Sequence, residues 1–247
     1  MDFDRQITDP DYGIFECAKR GSKHGVEFYI QKGAHNWKWG MYGAARGGYQ
    51  NLIDLFISKG AKDWEWGMFN AAQGGHQNII DFFISKGTND WNDGMYHAAL
   101  GGHQNIIDFF ITKGAGDWIS GMYGAALGGH RNLVEFFIAK GANDWNNGMY
   151  YAGRGGHRDL VDFFISKGAD NWTWGIYGAV HGRQFDIAEF FKHKLYPTFI
   201  DYIGADICAI CFEQEPQSLV ITKCNHVFHR ECIRLWRRNC PVCRRGL

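Results

Sequence analysis

The segment Asp63–Asn89 reads DWEWGMFNAAQGGHQNIIDFFISKGTN, and closely related versions of it recur along most of the chain. One glycine marks each copy at a fixed interval of 27 residues. These glycines are Gly13, Gly40, Gly67, Gly94, Gly121, Gly148 and Gly175. A period of this size is typical of proteins whose repeats contact only their neighbours. The pattern therefore predicts seven repeat units between Gly13 and about Asp201.

Each unit carries the signals of two short helices. In the quoted copy, Asp63 is a candidate N-cap for a first helix from Trp64 to about Gln73. The next two residues are glycines, which end that helix, and a second helix follows from about Gln77 to Lys86. Gly87 can adopt the left-handed conformation that closes a helix at least cost. One unit is therefore predicted to be a helical hairpin.

The second helix explains why the hairpins must pack together. Its apolar side chains are spread over most of its circumference, which a lone hairpin cannot bury. These residues are Ile79, Ile80, Phe82, Phe83 and Ile84. We therefore expect an all-α solenoid in which neighbouring hairpins cover one another.

A candidate binding face lies opposite the buried stripe of the first helix. The stripe of Trp64, Met68 and the two alanines is nearly constant between units, whereas the opposite columns change. The varied columns contain large apolar and arginine side chains, which are typical of protein interfaces. The predicted target-binding face comprises Trp39, Arg46, Trp66, Gln73, His97, Leu100, Leu127, Tyr151 and Arg154. The alternative is that these columns are unconstrained solvent positions.

Histidines follow the glycine pair in several units, at His76, His103, His130 and His157. Each copy begins a second helix, so successive copies should lie roughly 10 Å apart, the packing distance of helices. Side chains at that spacing cannot share a metal ion. We expect them to cap helices or to form hydrogen bonds between units.

The C-terminal region has a different pattern, which contains six of the seven cysteines. It reads Cys208-x2-Cys211-x12-Cys224-x-His226-x2-His229-x2-Cys232-x7-Cys240-x2-Cys243. Thiolate and imidazole donors in four close pairs suit two tetrahedral zinc ions. All eight donors are then used, which leaves no position for a reactive water and argues against hydrolytic zinc chemistry. The seventh cysteine, Cys17, replaces an alanine of the repeat and is predicted to serve packing.

Composition restricts the class of protein. The chain has 26 basic and 26 acidic residues and a formal net charge of zero, which argues against a nucleic-acid partner. The alternative of nucleic-acid binding would use Arg230, Arg234, Arg237, Arg238, Arg244 and Arg245. The N-terminus lacks a secretory signal, and the apolar runs are too short to span a membrane. We expect an intracellular, cytosolic protein with no membrane contact.

The repeat string Ala-Ala-x-Gly-Gly-His-x-x-Ile-Ile-x-Phe-Phe-Ile-x-Lys-Gly-Ala resembles the ankyrin repeat. It is a shortened form, because the β-hairpin between ankyrin units has no counterpart between Gly60-Ala61 and the next cap, Asp63. Short, aromatic-rich units of this kind look like those encoded by large DNA viruses, which would place the protein in the cytosol of a host cell. The resemblance implies that the first helices line the concave side of the stack and bind a target protein.

The order of metal donors, three cysteines, two histidines and three cysteines, resembles the two-histidine RING finger. The resemblance implies a small α+β domain with two interleaved zinc sites. The first zinc would be held by Cys208, Cys211, His229 and Cys232, and the second by Cys224, His226, Cys240 and Cys243. Because a region of this length cannot bury a sufficient apolar core, metal binding would supply its folding free energy.

RING fingers bind a ubiquitin-conjugating enzyme and promote transfer of its ubiquitin without a covalent intermediate of their own. By resemblance, Ile210, Trp236 and Pro241 match the groove that receives the conjugating enzyme. Arg244 matches the cation that positions ubiquitin on it. The resemblance therefore implies a RING-type ubiquitin-protein ligase whose repeats select the target. The alternative is a non-enzymatic adaptor in which the zinc fold is only an interaction surface.

The predicted layout has three parts. Residues 1–12 are an N-terminal lead-in, residues 13–201 are the repeats, and residues 206–247 are the RING finger. Thr198 and Phe199 fall in the N-cap and tryptophan columns of an eighth unit, which predicts a capping half-helix over about residues 198–205. A loose linker is the alternative.

Overall fold

The computed structural model describes residues 9–195 together with the short segments 219–221 and 227–229. Within these residues the chain contains fourteen helices and two short strands. The chain divides into two compact units, Met1–Asp144 and Trp145–Leu247, and each is described by itself.

The first unit contains ten of the described helices, which pair in chain order as five hairpins. They are α1 Pro10–Lys19, α2 Lys23–Gln31, α3 Trp37–Gly47, α4 Gln50–Ser58, α5 Trp64–Gly74, α6 Gln77–Ile84, α7 Trp91–Gly101, α8 Gln104–Thr112, α9 Trp118–Gly128 and α10 Arg131–Ala139. Each first helix packs against the first helix of the next hairpin. The predicted repeat of helical hairpins is confirmed, and α1 begins three residues before Gly13.

The second unit contains two described hairpins and a strand pair. The helices are α11 Trp145–Gly155, α12 Arg158–Ser166, α13 Trp172–His181 and α14 Phe185–Leu195. The strands β1 Leu219–Ile221 and β2 Val227–His229 pair antiparallel, with Leu219 opposite His229. The predicted capping half-helix at about residues 198–205 lies outside the described residues. Within residues 9–195 no strand separates one hairpin from the next.

The glycine period follows from close packing inside each hairpin. In the fourth hairpin, a Cβ added at Gly94 would lie 2.6 Å from Cζ of Phe110, and Phe110 is fully buried. The same glycine and phenylalanine columns meet in the other hairpins from Gly40 onward. A larger side chain at these glycines would displace the ring at the centre of the hairpin. The 27-residue spacing therefore marks the point where the two helices of a unit come closest.

The helix ends follow the sequence signals closely. The predicted stripe residues Met68, Ala71 and Ala72 are fully buried, while Trp64 is half-buried against Phe83. The second helix ends two residues earlier than predicted, at Ile84, because the chain continues in a tighter turn. Gly87 has a φ of 102°, which confirms its predicted left-handed conformation.

The predicted N-caps of the first helices need correction at two positions, Asn36 and Asp63, whose side chains make no capping hydrogen bond. Asp90, Asp117 and Asn171 accept hydrogen bonds from backbone N–H groups in the first turn of their own helices, as expected. Asp63 occupies the N-cap position of α5 but makes no such bond. Its carboxylate instead accepts a 2.6 Å hydrogen bond from the hydroxyl of Tyr42, in the preceding hairpin. The Asp63 carboxylate therefore joins two hairpins.

Cys17 lies half-buried in the first hairpin. A Cβ added at Gly25 would lie 2.6 Å from its Sγ atom, so the thiol packs tightly against α2. Burial raises the pKa of the Cys17 thiol, with Arg20 opposing the shift and Glu16 adding to it. The thiolate is disfavoured, which agrees with the predicted packing role.

Candidate functional site

The repeated histidines connect neighbouring hairpins in the first unit. Nε2 of His76 lies 3.2 Å from the carbonyl oxygen of Arg46, and Nε2 of His103 lies 3.2 Å from that of Gln73. His130 makes the equivalent contact with Leu100 at 3.3 Å. A carbonyl can only accept, so Nε2 of each histidine is the donor. The predicted hydrogen bonds between units are confirmed at these three positions. Among the residues that the structure describes, no cluster of three acidic, cysteine or histidine side chains could hold a metal ion.

An aromatic cluster lies on the first helices of unit one and consists of Tyr42, Trp66, Phe69, Tyr96 and His97. The ring of Trp66 lies 6.4 Å from Tyr42 in the preceding hairpin and 5.8 Å from His97 in the following one. Phe69 and His97 stack at 5.2 Å with an interplanar angle of 8°. Trp66 is nevertheless 50% exposed. The cluster therefore presents a large apolar ring held between three hairpins.

His97 is the polar member of this cluster. Its imidazole is largely enclosed by aromatic rings, and its buried Nδ1 atom has no hydrogen-bond partner within the described residues. Burial lowers the pKa of His97 to about 4, and the positive charge of Arg46 contributes in the same direction. His97 is therefore neutral at neutral pH.

Arg46 is the charged side chain next to this cluster. It lies in the last turn of α3 and is half-buried. Burial lowers the pKa of its guanidinium, and the nearby carboxylate of Glu16 opposes the shift. Glu16 itself pairs with Arg20 at 3.4 Å and Lys19 at 3.8 Å. In the part of the chain that the structure describes, the Arg46 guanidinium forms no ion pair.

A second aromatic cluster lies on α11 and α13 in unit two and consists of Tyr150, Trp174 and Tyr177. The Trp174 ring stacks on Tyr150 at 4.8 Å and on Tyr177 at 5.2 Å. Its Nε1 donates a 2.8 Å hydrogen bond to Oδ1 of Asn147, which fixes the ring. Trp174 is 38% exposed and Tyr177 is 47% exposed. Burial raises the pKa of the Tyr150 hydroxyl, and the positive charge of the exposed Arg154 side chain opposes this shift.

The predicted target-binding face is less exposed than its sequence columns indicated. Of its members, Trp66 and Arg154 are exposed. The half-buried members are Trp39, Arg46, Gln73, His97, Leu100, Leu127 and Tyr151. Neighbouring first helices overlap this face, as where Trp39 packs against Phe15 at 6.0 Å. Tyr177 was missed, because the other residues of its column are buried or half-buried, with Phe69 and Tyr150 only 5% and 9% exposed.

Most of the predicted RING residues lie outside the described residues. This holds for the metal donors Cys208, Cys211, Cys224, His226, Cys232, Cys240 and Cys243 and for Ile210, Trp236, Pro241 and Arg244. The backbone of His229 ends β2, opposite Leu219 in β1. A donor set of six thiolates and two imidazoles fits zinc by its chemistry. None of the described helices has the length and apolar character that crossing a membrane requires.

Comparison with known proteins identifies this C-terminal region. The family model described as a Ring finger domain matches residues 206–244. RING-H2 finger protein ATL29 of Arabidopsis thaliana is 52% identical over 46 residues, which cover 16% of this chain and 16% of that protein. The human E3 ubiquitin-protein ligase RNF139 is 46% identical over 41 residues, covering 15% of this chain and 6% of that protein.

RING finger protein 145 of Danio rerio is 49% identical over 41 residues, covering 15% of this chain and 6% of its own length. The chain thus matches no more than about a sixth of each of these three relatives. The similarity is restricted to the region that carries the eight predicted metal donors. RING finger domains bind zinc, generally two ions. The chain therefore carries a C-terminal RING-H2 finger.

Proposed function

We propose that this protein is a RING-type ubiquitin-protein ligase. The observation that carries the proposal is the match of residues 206–244 to the RING finger family, which includes the complete set of eight donors. Relatives with the same finger are named E3 ubiquitin-protein ligases. The proposed partners are therefore a ubiquitin-conjugating enzyme, ubiquitin and a target protein.

Two zinc ions would hold the finger in its folded form. The first would be bound by Cys208, Cys211, His229 and Cys232, and the second by Cys224, His226, Cys240 and Cys243. When bound, zinc supplies folding free energy and no reactive water, because protein side chains occupy every coordination position. The finger then acts by binding and orienting other proteins.

The residues that act on the conjugating enzyme are proposed from their positions in the finger. Ile210, Trp236 and Pro241 would form the apolar groove that receives it. Arg244, directly after the last zinc ligand, would hydrogen-bond both ubiquitin and the enzyme. Holding the two in a reactive arrangement lowers the barrier by positioning, and no residue of this chain forms a covalent intermediate with ubiquitin during transfer.

The helical hairpins would supply the target-binding part. We propose that they are shortened ankyrin-like repeats, as residues 9–195 contain hairpins in a regular period with no strand between them. The proposed layout keeps the repeats at 13–201, a capping half-helix at about 198–205 and the finger at 206–247. The proposed location is the cytosol, which would be that of a host cell if the protein is viral.

Ubiquitin transfer by the purified, zinc-loaded chain tests this function. The assay contains activating enzyme, ubiquitin and a panel of conjugating enzymes, and it measures both self-modification and free ubiquitin chains. Activity is expected with at least one conjugating enzyme. Arg244→Ala should reduce transfer at least about tenfold without releasing zinc, whereas the adjacent Arg245→Ala should have little effect.

Two results would contradict this proposal. Inactivity of the zinc-loaded protein with every conjugating enzyme would favour a non-enzymatic adaptor. Undiminished transfer by Arg244→Ala would remove that residue from the proposed positioning role. Zinc content, measured on the same samples, separates loss of function from loss of the folded finger.

A further inference from the structure

Most basic side chains of the hairpins have a partner on their own hairpin. One lysine near the end of each second helix places its amine 5.0 to 5.6 Å from the centroid of an aromatic ring. These lysines are Lys32, Lys59, Lys86, Lys113, Lys140, Lys167 and Lys194. Arg131 and Arg158 instead pair with carboxylates one turn later, at 3.0 and 3.1 Å. Such contacts compensate the positive charges on the second helices.

Arg46 and Arg154 differ from this pattern. They occupy the same column of the repeat, in the last turn of α3 and α11. Within the described residues neither guanidinium forms an ion pair, although the charge of Arg154 lowers the pKa of the Tyr150 hydroxyl against the effect of burial. Both lie in hairpins whose neighbouring first helix exposes a tryptophan, Trp66 in unit one and Trp174 in unit two. The same combination therefore occurs independently in each unit.

The site in unit one combines three features that are energetically unfavourable in the free protein. Half-burial of Arg46 removes water from a charge that forms no ion pair within the described residues, and burial lowers its pKa more than the nearby Glu16 carboxylate raises it. The Nδ1 atom of His97 is buried without a hydrogen bond. Half of the Trp66 surface remains in water. A stable fold needs none of these features, and a ligand that carries an anion and an apolar group would relieve the charge and the exposed surface.

We propose that Arg46, Trp66 and His97 bind an extended acidic segment of the target protein. A carboxylate of that segment pairs with the Arg46 guanidinium, whose fork of N–H donors can bind both oxygens. A neighbouring apolar side chain packs on the exposed face of Trp66, next to the His97 ring. Tryptophan and arginine are the residues that most often dominate binding energy at interfaces. The inference rests on the proposed target-binding function of the repeats and specifies the chemistry of the target.

The charge around the site gives the bound segment a direction. Asp93, in the hairpin after Trp66, has a raised pKa, mainly through burial and also through the charges of Asp90 and Asp117. These three carboxylates would repel an acidic side chain. The acidic residue therefore belongs at the Arg46 side of Trp66, and the segment becomes uncharged or basic toward Asp93.

Selection from a random peptide library identifies a segment of this kind. Twelve-residue peptides would be displayed and selected on the full-length, zinc-loaded protein at physiological salt. We expect enrichment of Asp or Glu a few residues from Leu, Phe or Pro. One enriched peptide would then be synthesised in three forms, with the acidic residue retained, changed to its amide or changed to lysine. Affinity should fall in that order, with at least about a tenfold loss for the lysine form.

Variants of the protein then locate the site. Arg46→Gln and Trp66→Ala should each weaken binding of the acidic peptide at least about tenfold. Arg46→Lys should recover part of the loss, since it restores the charge but not the paired donors. Asp93→Asn should strengthen binding about twofold to fivefold by removing a repulsive charge. Lys86→Gln, a charge change just after the end of a second helix, is the matched control and should leave affinity unchanged.

The outcomes separate this inference from other interpretations. Enrichment of basic peptides, or equal affinity in wild type, Arg46→Gln and Trp66→Ala, would overturn it. Salt-dependent binding of a single-stranded oligothymidine that Arg46→Gln abolishes would also overturn it, in favour of a nucleic-acid site. All variants should assemble free ubiquitin chains at the wild-type rate. If the wild-type protein binds the acidic peptide but assembles no ubiquitin chains, the result would count against the proposed ligase function and not against the peptide site.

Discussion

The helical hairpins and the C-terminal finger are stabilised in opposite ways. In the hairpins, most units repeat the same glycine, alanine and phenylalanine contacts, so the information that specifies the fold is distributed and redundant. In the finger, we propose that eight metal donors within residues 206–244 carry it, because so short a segment cannot bury an adequate apolar core. A single substitution in one hairpin should therefore destabilise the repeats less than loss of a metal donor destabilises the finger. Zinc removal should have a greater effect than any single substitution in the hairpins.

Removal of zinc should have the largest effect. Structural zinc sites contribute apparent binding free energies of about 10 to 16 kcal/mol, so a strong chelator should unfold the finger and abolish ubiquitin transfer. The helical signal in circular dichroism should remain nearly unchanged, because the fourteen described helices lie in residues 9–195. Restored activity after zinc is added back is the control. Loss of most helical signal on chelation would show that the two regions do not fold separately.

Truncation of a central core ring should have the next largest effect. Phe110→Ala removes a fully buried ring that packs on Gly94 and should lower the free energy of unfolding by about 3 to 5 kcal/mol. Phe109→Ala, at the neighbouring half-buried ring, is the matched control and should cost much less. Urea unfolding followed by circular dichroism measures both. Equal decreases in the free energy of unfolding would mean that the buried packing of Phe110 does not stabilise the hairpin more than Phe109 does.

Acidification should destabilise unit one through His97. Its folded-state pKa of about 4 lies below the ordinary value of 6.5, so the unfolded state binds the proton more readily. The contribution of neutral His97 to the free energy of unfolding is fully present above pH 6.5 and is lost as the pH falls toward 4. The loss is on the order of 3 kcal/mol for the whole pKa difference. His97→Phe should reduce this dependence. Urea midpoints of both proteins between pH 7.5 and 4.5 provide the test, and parallel curves would contradict it.

Two opposite substitutions at left-handed backbone positions, one to glycine and one from glycine, should have the smallest effect on stability. Arg183 has a φ of 61°, where five of the preceding units place a glycine with φ between 79° and 87° and the first has Gly21 at 70°. Arg183→Gly should stabilise the protein by about 1 kcal/mol, because it relieves left-handed strain.

Gly102→Ala is the opposite change and should destabilise the protein by more than Arg183→Gly stabilises it. Its φ is 83°, and the added Cβ would lie 2.6 Å from the His130 ring. Thermal melting of the two variants beside wild type measures both effects. A lower melting temperature for Arg183→Gly would show that other contacts of Arg183 outweigh its strain.

The sequence was most informative where contacts are local. The glycine spacing, the first-helix stripe of Met68 and its alanines, and the C-terminal glycines were predicted correctly, because they depend on positions along a single hairpin. The capping role of Asp63 was not, since its carboxylate bonds to Tyr42, 21 residues earlier. The degree of exposure was also overestimated for Trp39, because the ring of Phe15 in the preceding hairpin packs against it.

By itself, the sequence determined that the chain consists of helical hairpins in a regular period followed by a RING-H2 finger. Both conclusions come from spacing, which reflects helix geometry in one case and metal coordination in the other. Only the tertiary structure decided which side chains of the first helices remain in water and which charges lack a partner. Those properties depend on distances between hairpins. A repeat pattern describes what the units share and does not specify the individual contacts of Arg46, Trp66 or His97.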